Sequence, residues 1–165
     1  MKRLTSSVRN TRRGRGGNIL IEFALGAGVL VSVFTGTFQF GYTFYQYNIL
    51  KNAVNNGASY ASLRLYDSAT CTPSDSFKNA VKNMVVYADP SGTNTTTPVV
   101  RGLTTSNVNL SVGWSFSPCA GGTGGTPFSI TVSISNYTIY AVVGSQTFNT
   151  KPAATYPYLG IFEPY

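Results

Sequence analysis

The sequence has no histidine, five acidic residues and two cysteines among 165 residues. Each shortage excludes a class of chemistry. Histidine is the usual general base near neutral pH and the commonest metal ligand. The acids other than Glu22 are Asp67, Asp75, Asp89 and Glu163, scattered singly along the chain. No paired carboxylates, nucleophile elbow or metal-ligand spacing results. Two cysteines without histidine make a poor metal site. The expectation is a protein that is not an enzyme, with no catalytic residues, no metal and no cofactor. Charge is scarce as well: Phe23 to Leu50 is a run of 28 residues with none.

What charge there is lies mostly at one end. The formal net charge is +7. Lys2, Arg3, Arg9, Arg12, Arg13 and Arg15 supply six of the twelve basic residues before residue 18, with no acid among them. The rest of the chain is nearly neutral. No basic patch interleaved with aromatics follows, so nucleic acid is not an expected partner. A basic cluster directly before a long apolar segment is the positive-inside pattern, which keeps the preceding end cytoplasmic and sends the following domain across a membrane.

The apolar segment begins with Asn18-Ile19-Leu20-Ile21-Glu22. A carboxylate at the centre of a bilayer costs roughly 2.5–3.5 kcal/mol. A secretory signal peptide has an apolar core of about 7–15 residues, and this run is much longer. A plain signal anchor fits the length but leaves Glu22 and the Gly16-Gly17 step unexplained. Cleavage after Gly17 would make Asn18 a new N-terminus and Glu22 its fifth residue.

Gly17 before Asn18, with Glu22 five residues in, resembles a prepilin peptidase site. Together with Phe23-Ala24, Gln39-Phe40-Gly41, Tyr45, Ala53 and Gly57-Ala58, the stretch from Gly14 to Leu63 resembles the TadE-like pilin and pseudopilin family of tight-adherence pilus systems. The tyrosine that often follows the glutamate in short pilins of this kind is Phe23 here. The resemblance implies processing after Gly17 by a membrane peptidase and assembly with other pilin subunits on an inner-membrane pilus platform. It implies a bacterial inner-membrane location before assembly and the cell surface afterwards. Major pilins of this type are much shorter, which points to a minor-pilin role.

Two physical readings of Glu22 stand beside that resemblance. In a parallel helix assembly its carboxylate can meet the free α-amine of Asn18 on a neighbour, which relieves the desolvation of both charges and sets register. Alternatively it lies in the headgroup layer and snorkels to water. Ala24, Gly28, Ser32 and Gly36 recur every fourth residue, a small-residue stripe suited to close helix packing in lipid. General glycine enrichment of membrane helices is the other reading. Phe38, Phe40, Tyr42, Phe44, Tyr45 and Tyr47 then form an aromatic belt of the kind found at a membrane interface.

The expected fold is α+β, a long N-terminal helix followed by a small head with one helix and an antiparallel β-sheet. The expected divisions are a leader at 1–17, a helix over 18–64 with 18–47 in the membrane or filament core, and an extracytoplasmic head at 65–165. Leu50, Val54, Gly57/Ala58, Ala61 and Leu65 keep a helical period beyond the apolar run, which predicts an amphipathic continuation that packs on the head. Thr72-Pro73-Ser74-Asp75 reads as a helix start, with Thr72 as N-cap and Pro73 in the first turn. Phe77, Ala80, Val81, Met84, Val85 and Ala88 follow at helical spacing, up to the turn Asp89-Pro90-Ser91-Gly92. From Val99 the period changes to two. Val108, Leu110, Val112, Trp114 and Phe116 predict one half-buried strand, and Phe128, Ile130, Val132 and Ile134 another. The loop 117–127 between them is glycine-rich and carries no phosphate-loop lysine. Tyr137–Val143 and Gln146–Phe148 suggest a further pair, and the proline- and tyrosine-rich stretch from Lys151 reads as irregular. Cys71 and Cys119 both follow the membrane segment, where disulfides persist. A bridge between them would stabilise the head by about 4 kcal/mol through loop closure; two buried thiols are the alternative.

Overall fold

The computed structural model describes residues 16–64, 72–115, 127–141 and 144–160. The chain divides after Phe38 into two compact units. The first consists of the opening turns of α1 (Gly16–Leu63). Almost every residue from Gly17 to Phe38 is exposed, including Ile19, Leu20, Phe23, Leu25, Leu30 and Phe34. A stretch that is apolar all round and exposed among the described residues has the character of a membrane segment.

The second unit begins at Gln39 and is the head together with the remainder of α1. Here the helix becomes amphipathic. Leu50, Ala53, Val54, Gly57, Ala58 and Ala61 are buried, while Lys51, Asn52 and Asn56 face water. This is the predicted face. Helix α2 (Asp75–Tyr87) lies against it through Phe77, Val81, Val85 and Val86. Contact is close at Gly57, where a β-carbon would strike the Val85 Cγ2 methyl and lie 3.7 Å from the Val81 carbonyl oxygen. Only a residue without a side chain lets the two helices approach this far.

The start of α2 differs from the expectation. Ser74 is the N-cap, with extended backbone, and its hydroxyl accepts the Phe77 N–H at 3.1 Å. Thr72 and Pro73 lie before the cap. Asp75 then sits in the first turn, where it favours the helix dipole and pairs with Lys78 at 3.2 Å. The helix ends at Ala88, whose left-handed backbone (φ 56°) lets its N–H bond the Met84 carbonyl at 3.1 Å. Ala88 is therefore exposed rather than part of the buried stripe.

The segment from Val99 is not yet a strand. Val100 and Leu103 bury the two ends of a turn, and a single 3-10 turn over Thr105–Asn107 follows. The Asn107 side-chain amide donates to the carbonyls of Ser135 and Asn136 at 3.2 and 2.9 Å, which ties this turn to the one after β2.

Strands β1 (Val108–Trp114) and β2 (Pro127–Ile134) pair antiparallel, with Val108 opposite Ile134 and Val112 opposite Ile130. The inward faces are as predicted except at one end. The register shifts between Gly113 and Trp114, so that Trp114 faces Pro127 and Phe128 is bulged out. Phe128 is 58 % exposed, not in the core. Strands β3 (Tyr137–Tyr140) and β4 (Ser145–Phe148) form a separate hairpin. The rings of Tyr47 on α1 and Phe148 on β4, 5.6 Å apart, hold it to the helix.

The stretch read as irregular contains β5 (Ala153–Pro157), which pairs antiparallel with β2 and makes it the central strand of three. Ala154 enters the core and Thr155 meets Thr131 hydroxyl to hydroxyl at 2.8 Å. Beyond it, the Leu159 N–H bonds the Ser62 carbonyl and the Tyr158 hydroxyl bonds the Arg64 carbonyl, both at 2.9 Å. These bonds occupy carbonyls at the end of α1 that have no partner within the helix. The architecture is α+β: a long N-terminal apolar helix, a second helix and antiparallel sheets. Cys71, Cys119, Leu65 and Phe116 lie outside the described residues.

Candidate functional site

The first unit carries most of the residues singled out in the sequence. Its most apolar 18-residue window has a mean hydropathy of 2.0, and the helix is long and apolar enough to cross a membrane. Gly17 and Asn18 are in its first turns and exposed. Glu22 is exposed one turn on, and its carboxylate has no ion-pair partner among the described residues, where Lys78–Asp75 is the one salt bridge.

Ala24, Gly28, Ser32 and Gly36 fall on one side of the helix by their four-residue spacing, and all are exposed. A β-carbon built on Gly28 or Gly36 would meet nothing within 4 Å. Among the described residues nothing packs against the two glycines. Two hydroxyls of the segment are satisfied internally. The Ser32 hydroxyl donates to the Gly28 carbonyl at 2.8 Å, and the Thr37 hydroxyl to the Val33 carbonyl at 2.9 Å. Such back-bonding lets hydroxyls enter lipid without an unmet donor.

The head contributes a feature that sequence reasoning missed. A cleft of about 600 Å³ opens where α1 runs beside the β3–β4 hairpin. Tyr42 and Gln46 line it from the helix, Tyr137 and Tyr140 from β3, and Arg101 and Asn136 from the adjoining turns. Arg101 sits in the turn between Val100 and Leu103, closed by the Leu103 N–H to the Val100 carbonyl at 3.1 Å. Gly102 supplies the left-handed backbone (φ 80°) that the turn needs. The Tyr137 hydroxyl donates to the Arg101 carbonyl at 2.9 Å. Burial, and secondarily the nearby Tyr42, push the Tyr137 phenol above its usual range, so it remains a neutral donor. In sequence Arg101 and Tyr137 are far apart, and only the aromatic belt hinted that Tyr42 would face anything.

Asp89, after α2, organises a second polar cluster. Its carboxylate accepts from the Ser91 hydroxyl at 2.6 Å, the Ser91 N–H at 3.0 Å, the Thr93 hydroxyl at 2.8 Å and the Asn94 N–H at 2.9 Å. The Ser91 hydroxyl, then the Asn94 amide and the Thr93 hydroxyl, hold its pKa well below the ordinary carboxylate range. This is a loop staple, with all four donors from the next five residues. No group of three or more metal-ligating side chains occurs among the described residues.

No curated protein and no solved structure matches the chain. A family model does, over the part of α1 that runs from the exposed glycine before Asn18 to the close contact with α2. Residues 17–59 match the family described as TadE-like protein.

Proposed function

We propose that this protein is a minor pilin or pseudopilin of a tight-adherence pilus. In this reading a prepilin peptidase cuts after Gly17, and Asn18–Tyr47 holds the subunit in the membrane until it enters the filament. The observation that carries the reading is where the family match falls. It covers residues 17–59, and the first half of that stretch is an exposed apolar helix whose single carboxylate, Glu22, has no ion-pair partner among the described residues.

The chemistry supports the sequence of events. Glu22 in an apolar segment is costly when alone. Cleavage creates a cationic α-amine on Asn18, four residues away along the helix. Between staggered parallel helices that amine can neutralise Glu22 of a neighbour, while the stripe of Ala24, Gly28, Ser32 and Gly36 allows close approach. The leader would remain cytoplasmic and the head would lie outside the membrane. The partners are then the peptidase, the inner-membrane assembly platform and other pilin subunits. The rival reading is an uncleaved single-pass membrane protein whose periplasmic head binds a partner.

Intact-mass measurement separates the two. The protein produced with its prepilin peptidase should lose the mass of residues 1–17 and should keep it when the peptidase is absent. A full-length mass in both preparations refutes the pilin reading and leaves the anchored one.

A further inference from the structure

We infer that the cleft between α1 and the β3–β4 hairpin holds the phosphate of an anionic phospholipid headgroup, with Arg101 as its cation. The inference rests on the reading of α1 as a membrane segment, but not on cleavage or on pilus assembly.

The level of the cleft comes from counting. About 20 apolar residues cross the hydrocarbon layer, so a span that begins just after Glu22 is used up near Tyr42. Tyr42 and Gln46, which line the cleft, therefore fall in the headgroup layer. Tyrosine is favoured at that depth because its ring is apolar and its hydroxyl wet. A cleft opening there faces phosphates at high local concentration.

Its chemistry matches that surrounding. Among the described residues Arg101 is the sole charged one in the lining, and no acid accompanies it. It has no ion-pair partner among the described residues. A planar guanidinium suits a phosphate oxyanion, which it can engage through two parallel N–H bonds. The backbone beneath it is held in place. Val100 and Leu103 are each 2 % exposed, and the Tyr137 hydroxyl fastens the Arg101 carbonyl. The turn is thus anchored from below while its arginine stays exposed. Residues with neutral side-chain donors share the lining with Arg101: Gln46, whose amide gives one hydrogen to the Tyr42 hydroxyl at 3.2 Å and keeps a second, and Asn136. The volume, about 600 Å³, lies in the range of small-molecule sites. It exceeds what a bare phosphate fills and leaves room for a glycerol ester. A choline group would bring a second cation beside Arg101, so a glycerol headgroup fits better.

The test is a native mass titration of the full, uncut chain in dodecyl maltoside micelles. The probes are dioleoyl phosphatidylglycerol, dioleoyl phosphatidylcholine and inorganic phosphate. The expected result is one phosphatidylglycerol retained per chain, at least tenfold tighter than phosphatidylcholine. Arg101→Gln should weaken it at least tenfold, whereas Lys151→Gln, an exposed cation outside the cleft, should leave it unchanged. Arg101 is exposed, so its replacement leaves the core intact; unchanged emission from Trp114 checks this. Equal binding by Arg101→Gln and the parent chain overturns the proposal, as does equal loss with Lys151→Gln. Displacement of the lipid by millimolar inorganic phosphate also overturns it, and assigns the cleft to a soluble anion. Because the uncut chain is used, failure here leaves processing after Gly17 untouched.

Discussion

Replacing Gly57 by alanine should destabilise the head, although alanine is the better helix former. In an exposed helix the exchange gains about 1 kcal/mol. Here the new methyl strikes the Val85 Cγ2 atom. Val85 is fully buried on α2, and a valine in a helix is held strongly to one rotamer. The next atom in line is the backbone oxygen of Val81, at 3.7 Å. Neither neighbour turns aside easily, so the overpacking cost belongs near the upper end of the usual range, about 3 kcal/mol. The net loss is about 2 kcal/mol, or roughly an 8 °C fall in melting temperature for a domain of this size. Thermal unfolding of the full chain in micelles, followed by emission of Trp114, the sole tryptophan, measures it. Val85→Ala alone removes two buried methylene equivalents, about 1.6 kcal/mol by transfer and somewhat more for the cavity. In the double variant the alanine methyl at 57 enters that cavity. The pair should be more stable than the sum of the single losses by at least 1 kcal/mol. A higher melting temperature for Gly57→Ala, or strict additivity, would refute the close contact between α1 and α2.

Two further outcomes follow from the carboxylates. Asp89 is held below the ordinary carboxylate range by its loop donors. Its stabilising effect is therefore complete above the unfolded value, about 4, and declines as pH falls from there toward the folded value. Asp89→Asn should melt below the parent at pH 7, and the gap should narrow below pH 4; a gap independent of pH from 7 to 2 refutes the assignment. Glu22→Ala should leave cleavage after Gly17 intact, as judged by intact mass, but abolish incorporation into sheared filaments. Normal incorporation would remove the pairing of Glu22 with a neighbour's amine.

Legibility in the sequence followed the range of the interactions. The helical stripe from Leu50 to Ala61 was readable because one periodic pattern determines which face is buried. The same holds for Val108–Val112 and Ile130–Ile134, where alternation sets the inward face. The misplacements were local competitions. Thr72 and Ser74 are both good caps, and only the bond from Phe77 to Ser74 distinguishes them. Phe128 fits the alternation of its strand, yet the shift opposite Gly113 and Trp114 turns it outward. β5 was hidden because Ala153-Ala154-Thr155 has weak strand propensity and prolines flank it; pairing with β2 overrides both. Glu22 stands out in the sequence because a charge in an apolar run is rare; the roles given to it and to Gly17 are those of the proposed function. The cleft was not, since Tyr42, Arg101 and Tyr137 converge only through tertiary packing.

The bonds from Tyr158 and Leu159 to the end of α1 impose an order in time. Translation makes α1 first and β5 with its following residues last among the described elements. The sheet lacks its third strand, and the last turn of α1 its carbonyl partners, until residues 153–160 have emerged. A head built this way stays open while it is being made. It makes the closing step a latch that the chain throws only when the last described strand and the residues after it have been made.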